Sequence, residues 1–111
     1  MAYDEDLANR IREQLADETG VTEKAMFGGL AFMLEGNMAV GIASTAELMV
    51  RLGPDATDDA LSQPHTRLFD MTGRPMRGWI LVGPAGFDSD ADLGAWVQRG
   101  VRFARTLPAK G

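Results

Sequence analysis

Apolar residues recur along the chain in two rhythms. Leu7, Ala8, Ile11 and Leu15 fall at three- and four-residue steps, which puts one apolar stripe on a helix from Asp4 to about Asp17. Asp4, Glu5 and Asp6 suit its positive N-terminal end, and Gly20 supplies a stop. Val21-Thr22-Glu23-Lys24 then leads into a region where the period falls to two. There, Met26 to Leu34 and Met38 to Ala43 flank the polar break Glu35-Gly36-Asn37, and Glu47 to Leu52 follows the link Ser44-Thr45. This pattern predicts a three-stranded antiparallel meander.

Gly53-Pro54-Asp55 breaks the last strand, and Thr57 is placed to cap a short helix that ends before Pro64. Thr66 to Met71, the turn Thr72-Gly73-Arg74-Pro75, and Met76 to Val82 predict a second hairpin. Its second strand is apolar on both faces, which suits the interior of a sheet. Ser89 or Asp90 caps a last helix whose stripe is Leu93, Trp96, Val97, Gly100, Ala104 and Leu107, with Phe103 beside it and Pro108 as the stop. The expectation is a single α+β domain over residues 1–111, ordered α-β-β-β-α-β-β-α, with its helices packed mainly on one side.

Alternate residues of the meander divide unequally between its faces. Leu30, Phe32, Leu34, Met38, Val40, Ile42, Leu48, Val50 and Leu52 form a large apolar class that should carry the core. The other class holds Gly29, Ala31, Met33, Ala39, Gly41, Ala43, Met49 and Arg51, mostly small and hardly polar. A solvated face usually turns polar, so Ala31, Met33, Ala39, Gly41, Ala43 and Met49 are candidate interface residues, facing a chain segment, a second subunit or a flat ligand. Gly28-Gly29 reads as a strand bulge, since it lacks the lysine and hydroxyl residue of a phosphate-binding loop.

Composition narrows the function classes. A chain of 111 residues is one ordinary domain, and 45% hydrophobic with 24% charged residues is the balance of a globular protein. No apolar run spans a membrane, and the acidic start, Met1 to Asp6, lacks a secretory leader's pattern, so a cytoplasmic location is expected. Without cysteine there is no disulfide frame, thiol nucleophile or thiolate metal site. A net charge of −5 opposes a chain-wide grip on nucleic acid, although Arg67, Arg74 and Arg77 cluster around a single acid, Asp70.

At Lys24-Ala25-Met26-Phe27-Gly28-Gly29, with Glu35-Gly36-Asn37-Met38 and Glu47 to Leu52 following, the chain resembles the N-terminal domain of the TfoX/Sxy family of bacterial competence regulators. Gly73-Arg74-Pro75-Met76-Arg77-Gly78-Trp79-Ile80-Leu81-Val82 and then Ala95-Trp96-Val97 extend the similarity over nearly the whole chain, as in single-domain members. Met26, Phe27, Gly28 and Gly29 are the structural motif that heads it. The resemblance implies a co-regulator of transcription that acts with another factor. It supplies no catalytic residues. The family's named members carry a further C-terminal domain, and the expectation here is a single-domain member.

Among residue constellations, Arg51, Arg67, Arg74 and Arg77 with Trp79 form a candidate site for an anion or nucleic acid, because a guanidinium fork holds phosphate or carboxylate and an aromatic neighbour stacks a base. The competing reading pairs these arginines with Asp70, Glu47 and Asp55 and leaves Trp79 and Trp96 as anchors between sheet and last helix. His65 reads as a loop residue, no metal-ligand spacing appears, and no cofactor or catalytic set is expected. The leading expectation is a non-enzymatic protein-interaction module, regulatory by resemblance, with a homodimer or a protein partner on the small-residue face. The alternatives are a nucleic-acid-associated transcription factor using the arginine patch, and a binder of small anions, or an enzyme, near Arg51 and Trp79.

Overall fold

Local chemistry sets the helix ends. The Asp4 carboxylate accepts the N–H of Leu7 at 3.2 Å and opens α1 (Glu5–Gln14), while the Ser89 hydroxyl accepts the N–H of Asp92 at 3.0 Å and opens α3 (Asp90–Ala104). A computed structural model describes residues 3–26, 28–70 and 76–109. Phe27, Arg74 and the expected turn over 72–75 lie outside those residues.

The strands are β1 (Val21–Met26), β2 (Gly29–Leu34), β3 (Asn37–Ile42), β4 (Leu48–Arg51), β5 (Thr66–Phe69) and β6 (Met76–Val82), with α2 (Thr57–Leu61) between β4 and β5. They form one antiparallel sheet in the order β1-β2-β3-β4-β6-β5. The α+β class and the succession of helix, meander, short helix, hairpin and helix agree with the sequence. Val21–Met26 goes further than expected, forming an edge strand of its own. β6 lies inside the sheet, as its two apolar faces require. Glu35 (φ 51) and Gly36 (φ 83) make the two-residue left-handed turn that matches the twist of β2 and β3.

The ladder shifts register in two places, neither of them at Gly28-Gly29. Gly28 (φ 76) lies in the turn before β2 and Gly29 faces Met26 in regular register. One shift, between Leu68 and Phe69, is in the β5–β6 ladder; the other is a bulge in β3, where Phe32 faces Val40 but Met33 faces Met38, leaving Ala39 as the additional residue. A one-residue insertion exchanges the faces of the residues beyond it. Met38, expected in the core, therefore joins the opposite face, and Ala39, expected opposite, joins the core beneath α3.

The main core lies between sheet and helices. Phe32, Leu34, Val40, Ile42, Leu48, Val50, Ile80 and Val82 from the strands meet Leu7, Ile11, Leu93, Trp96, Val97 and Val101 from α1 and α3. A Cβ on Gly100 would collide with the carbonyl of Ala39, so the missing side chain is what lets α3 approach β3. Trp96 donates its indole N–H to Gly86 at 3.2 Å. Thr57, expected as a cap, is buried inside the first turn of α2. Its hydroxyl donates to the carbonyl of Gly53 at 2.9 Å and accepts the N–H of Gly78 at 2.8 Å, tying the end of β4 to β6.

Candidate functional site

The face of the sheet away from the helices has its own small cluster. Ala31, Met38, Ala43, Met49 and Leu81 are buried there, with Met26, Met33, Phe69 and Trp79 partly buried against them, and among the described residues no helical one belongs to the cluster. Register alone aligns one row across all six strands: Lys24, Ala31, Gly41, Met49, Leu81 and Arg67 face one another in succession. The row is charged at its ends and apolar between.

This face is not bare. A Cβ on Gly41 would lie 2.8 Å from the terminal methyl of Met38 and 2.8 Å from that of Met49, so these two flexible side chains fold over the glycine. Gly41, named as a candidate interface residue, lies under methionines of the same chain, Ala31 and Ala43 are buried in the same cluster, and Ala39 lies on the other side altogether. What the face presents outward is a methionine and aromatic skin: half-buried Met26, Met33, Phe69 and Trp79, with Met76 the most exposed at 36%.

Of the expected arginine patch, Arg67 and Arg77 are described, and each has its own carboxylate contacts. Arg67 grips both oxygens of Glu47, at 3.0 and 2.7 Å, and reaches Asp70 at 3.0 Å. Hydrogen bonds from Arg67, and secondarily from the Thr45 hydroxyl, hold the Glu47 carboxyl below the usual glutamate range against the opposing effect of burial. Arg77 pairs with Asp58 at 3.2 Å rather than with Asp55, and donates to the carbonyl of Pro54 at 3.3 Å.

Arg51 behaves differently. Its guanidinium carbon lies 5.1 Å from the centre of the Trp79 ring, its partner across the ladder, and 5.4 Å from that of Phe103 on α3. Phe69 backs Trp79 at 6.0 Å. Of the arginines grouped with Trp79, Arg51 is the one whose guanidinium lies against its ring among the described residues. Of the two tryptophans only Trp96 anchors the last helix, whereas Trp79 belongs to the helix-free face. Phe103, Phe69 and Met38 were not singled out from sequence as parts of this region. The one available signal was the offset of Phe103 from the stripe of α3, which points its ring off the core.

Elsewhere the described residues hold a shallow depression of about 240 Å³ lined by Leu52, Ala56, Arg99, Arg102, Phe103 and Thr106, which includes neither Arg51 nor Trp79. His65 is exposed with a left-handed backbone (φ 67), and its carbonyl accepts the N–H of Gly83 at 2.7 Å. Among the described residues no three His, Cys, Asp or Glu side chains converge, and no helix is long and apolar enough to cross a membrane.

Residues 13–104 match the family model described as the TfoX N-terminal domain. No curated protein and no solved structure matches the chain.

Proposed function

Because the chain belongs to the TfoX N-terminal domain family, we propose that it is a non-enzymatic, cytoplasmic protein-interaction module of regulatory character that docks a partner protein on the helix-free face of its sheet. The observation that carries this reading is the asymmetry of the two faces. One is sealed by α1, α2 and α3, while among the described residues the other is closed by side chains of the sheet itself, most of them methionine or aromatic. Methionine reshapes itself to different partners at little cost, and Trp and Phe supply large apolar contacts. Six strands about 4.8 Å apart and about six residues long give a face of roughly 500 Å² in projection. A standard interface takes about 800 Å² from each partner, so this face fits a small, transient contact better than an obligate dimer.

Nucleic acid has less support, since Arg67 and Arg77 spend donors on carboxylates and the net charge is −5. The test is a titration of the protein with a leucine-striped amphipathic helical peptide, followed by NMR of the methionine methyls, alongside light scattering over a wide concentration range. The expected result is a monomer in which Met33, Met38, Met49 and Met76 move while the methyls of Leu7 and Ile11 stay put. Movement of the core methyls instead, or none at all, refutes the docking reading. A dimer that moves the same methionines without peptide assigns the face to a second copy.

A further inference from the structure

We propose that Arg51 selects the partner by holding one of its carboxylates, so that the segment fitting this face is an acidic amphipathic one, with an apolar stripe and Asp or Glu at its margin. The inference rests on the docking reading above and names the partner's chemistry. All sixteen Asp and Glu residues of the chain are among those described, and none forms an ion pair with Arg51. Arg10, Arg12, Arg67, Arg77, Arg99 and Arg105 each hold a carboxylate. In so acidic a protein, a cation left without one while its neighbours are served is a feature to be explained.

Its geometry supplies the explanation. Trp79 and Phe103 contact the guanidinium through their rings, which hold its position without using its N–H donors, because aromatic contacts consume no hydrogen bond. No nitrogen of this side chain is buried without a partner, so the donors meet solvent. A guanidinium ordered in advance loses less entropy when an anion arrives. Arg102 also lacks a carboxylate, but it is exposed on α3 with no aromatic ring stacked against it among the described residues.

Position links this cation to the docking face. Trp79 belongs both to the arginine's stack and to the methionine cluster, and Phe69 and exposed Met76 pair beside it across β5 and β6. A partner lying on the methionines therefore brings its margin to Arg51. A segment with one or two carboxylates suits the position better than a phosphodiester chain, whose charge at every nucleotide meets more repulsion from Glu47, Asp70 and a chain of net charge −5.

The test compares two amphipathic helical peptides with the same leucine stripe, one flanked by glutamates and the other by glutamines, together with a single-stranded oligonucleotide. The wild-type protein should bind the glutamate peptide about tenfold more tightly than the glutamine peptide, the ratio that one hydrogen-bonded charge pair supplies. Arg51→Gln should erase that preference, Arg51→Lys should retain part of it, and Arg102→Gln should leave it intact. If both peptides move the methionine methyls but bind equally, or the preference survives in Arg51→Gln and Arg51→Lys alike, the carboxylate assignment is overturned while the docking face stands. If neither peptide moves those methyls, both readings fall. Tighter binding of the oligonucleotide through Arg51 than of the glutamate peptide overturns the proposal in favour of nucleic acid.

Discussion

Ala46 holds a left-handed backbone (φ 68) at the end of the turn between β3 and β4, its N–H donating to the carbonyl of Ala43 at 2.9 Å. An L-residue there crowds its Cβ against the backbone, and glycine does not. Ala46→Gly should therefore stabilise the protein by about 0.5–1 kcal/mol after its greater freedom in the unfolded chain is offset, which a shift of the urea midpoint at constant slope would display. Such residues are hard to read from sequence, because Ser44-Thr45-Ala46 carries none of the glycine or asparagine that usually marks the conformation. Arg51 was visible as a candidate, but Phe103, which completes its stack, lies on an element distant in sequence. Thr57 was misplaced for a related reason: its hydroxyl could cap the helix or bridge two strand ends, and only the position of Gly78 decides between them.

At the scale of elements, the contact between α3 and β3 depends on a bulge and a glycine together. The added residue Ala39 turns its carbonyl toward α3 exactly where the helix has no side chain, at Gly100. Gly100→Ala should destabilise the fold by about 3 kcal/mol, since backbone on both sides must move, and a smaller loss in a urea melt would mean that α3 slides readily over the sheet. The elements themselves were legible because each carries one clean periodicity. The bulge was not, since Asn37 to Ile42 reads equally well as an unbroken strand, and one misplaced residue was enough to assign Met38 and Ala39 to the wrong faces. β1 was underestimated because Thr22, Glu23, Lys24 and Ala25 are all exposed and show no apolar alternation.

Across the whole molecule, two arginine–glutamate forks clasp opposite ends of the sheet. Arg12 on α1 holds Glu23 of the edge strand β1 at 2.7 and 2.8 Å, and Arg67 of the other edge strand, β5, holds Glu47 across the position of β6. Both carboxyls are held below the ordinary glutamate value of about 4.5, chiefly by the hydrogen bonds from their arginines. Between the folded and ordinary values the unfolded chain binds more protons, so this stabilisation is complete above about pH 4.5 and is lost as the pH falls further. The pairs are partly solvent-exposed, which limits each to roughly 0.5–1 kcal/mol. Glu47→Gln should lower stability by that amount at pH 7 and flatten the acid limb of the stability profile; an unchanged limb would show that Arg67 contributes nothing across the sheet.

The sequence by itself determined the kinds and order of elements, the α+β class, the helix-facing core and the kinship with the TfoX N-terminal domain, because these depend on local periodicity and on short motifs read in order. The tertiary structure alone decided that methionines fold over Gly41 on the opposite face, that Arg67 and Arg77 are matched with acids, and that Arg51 lies against two rings with no carboxylate partner among the described residues. Those facts depend on which side chains meet across strands distant in the chain, and a single bulged residue is enough to change the answer.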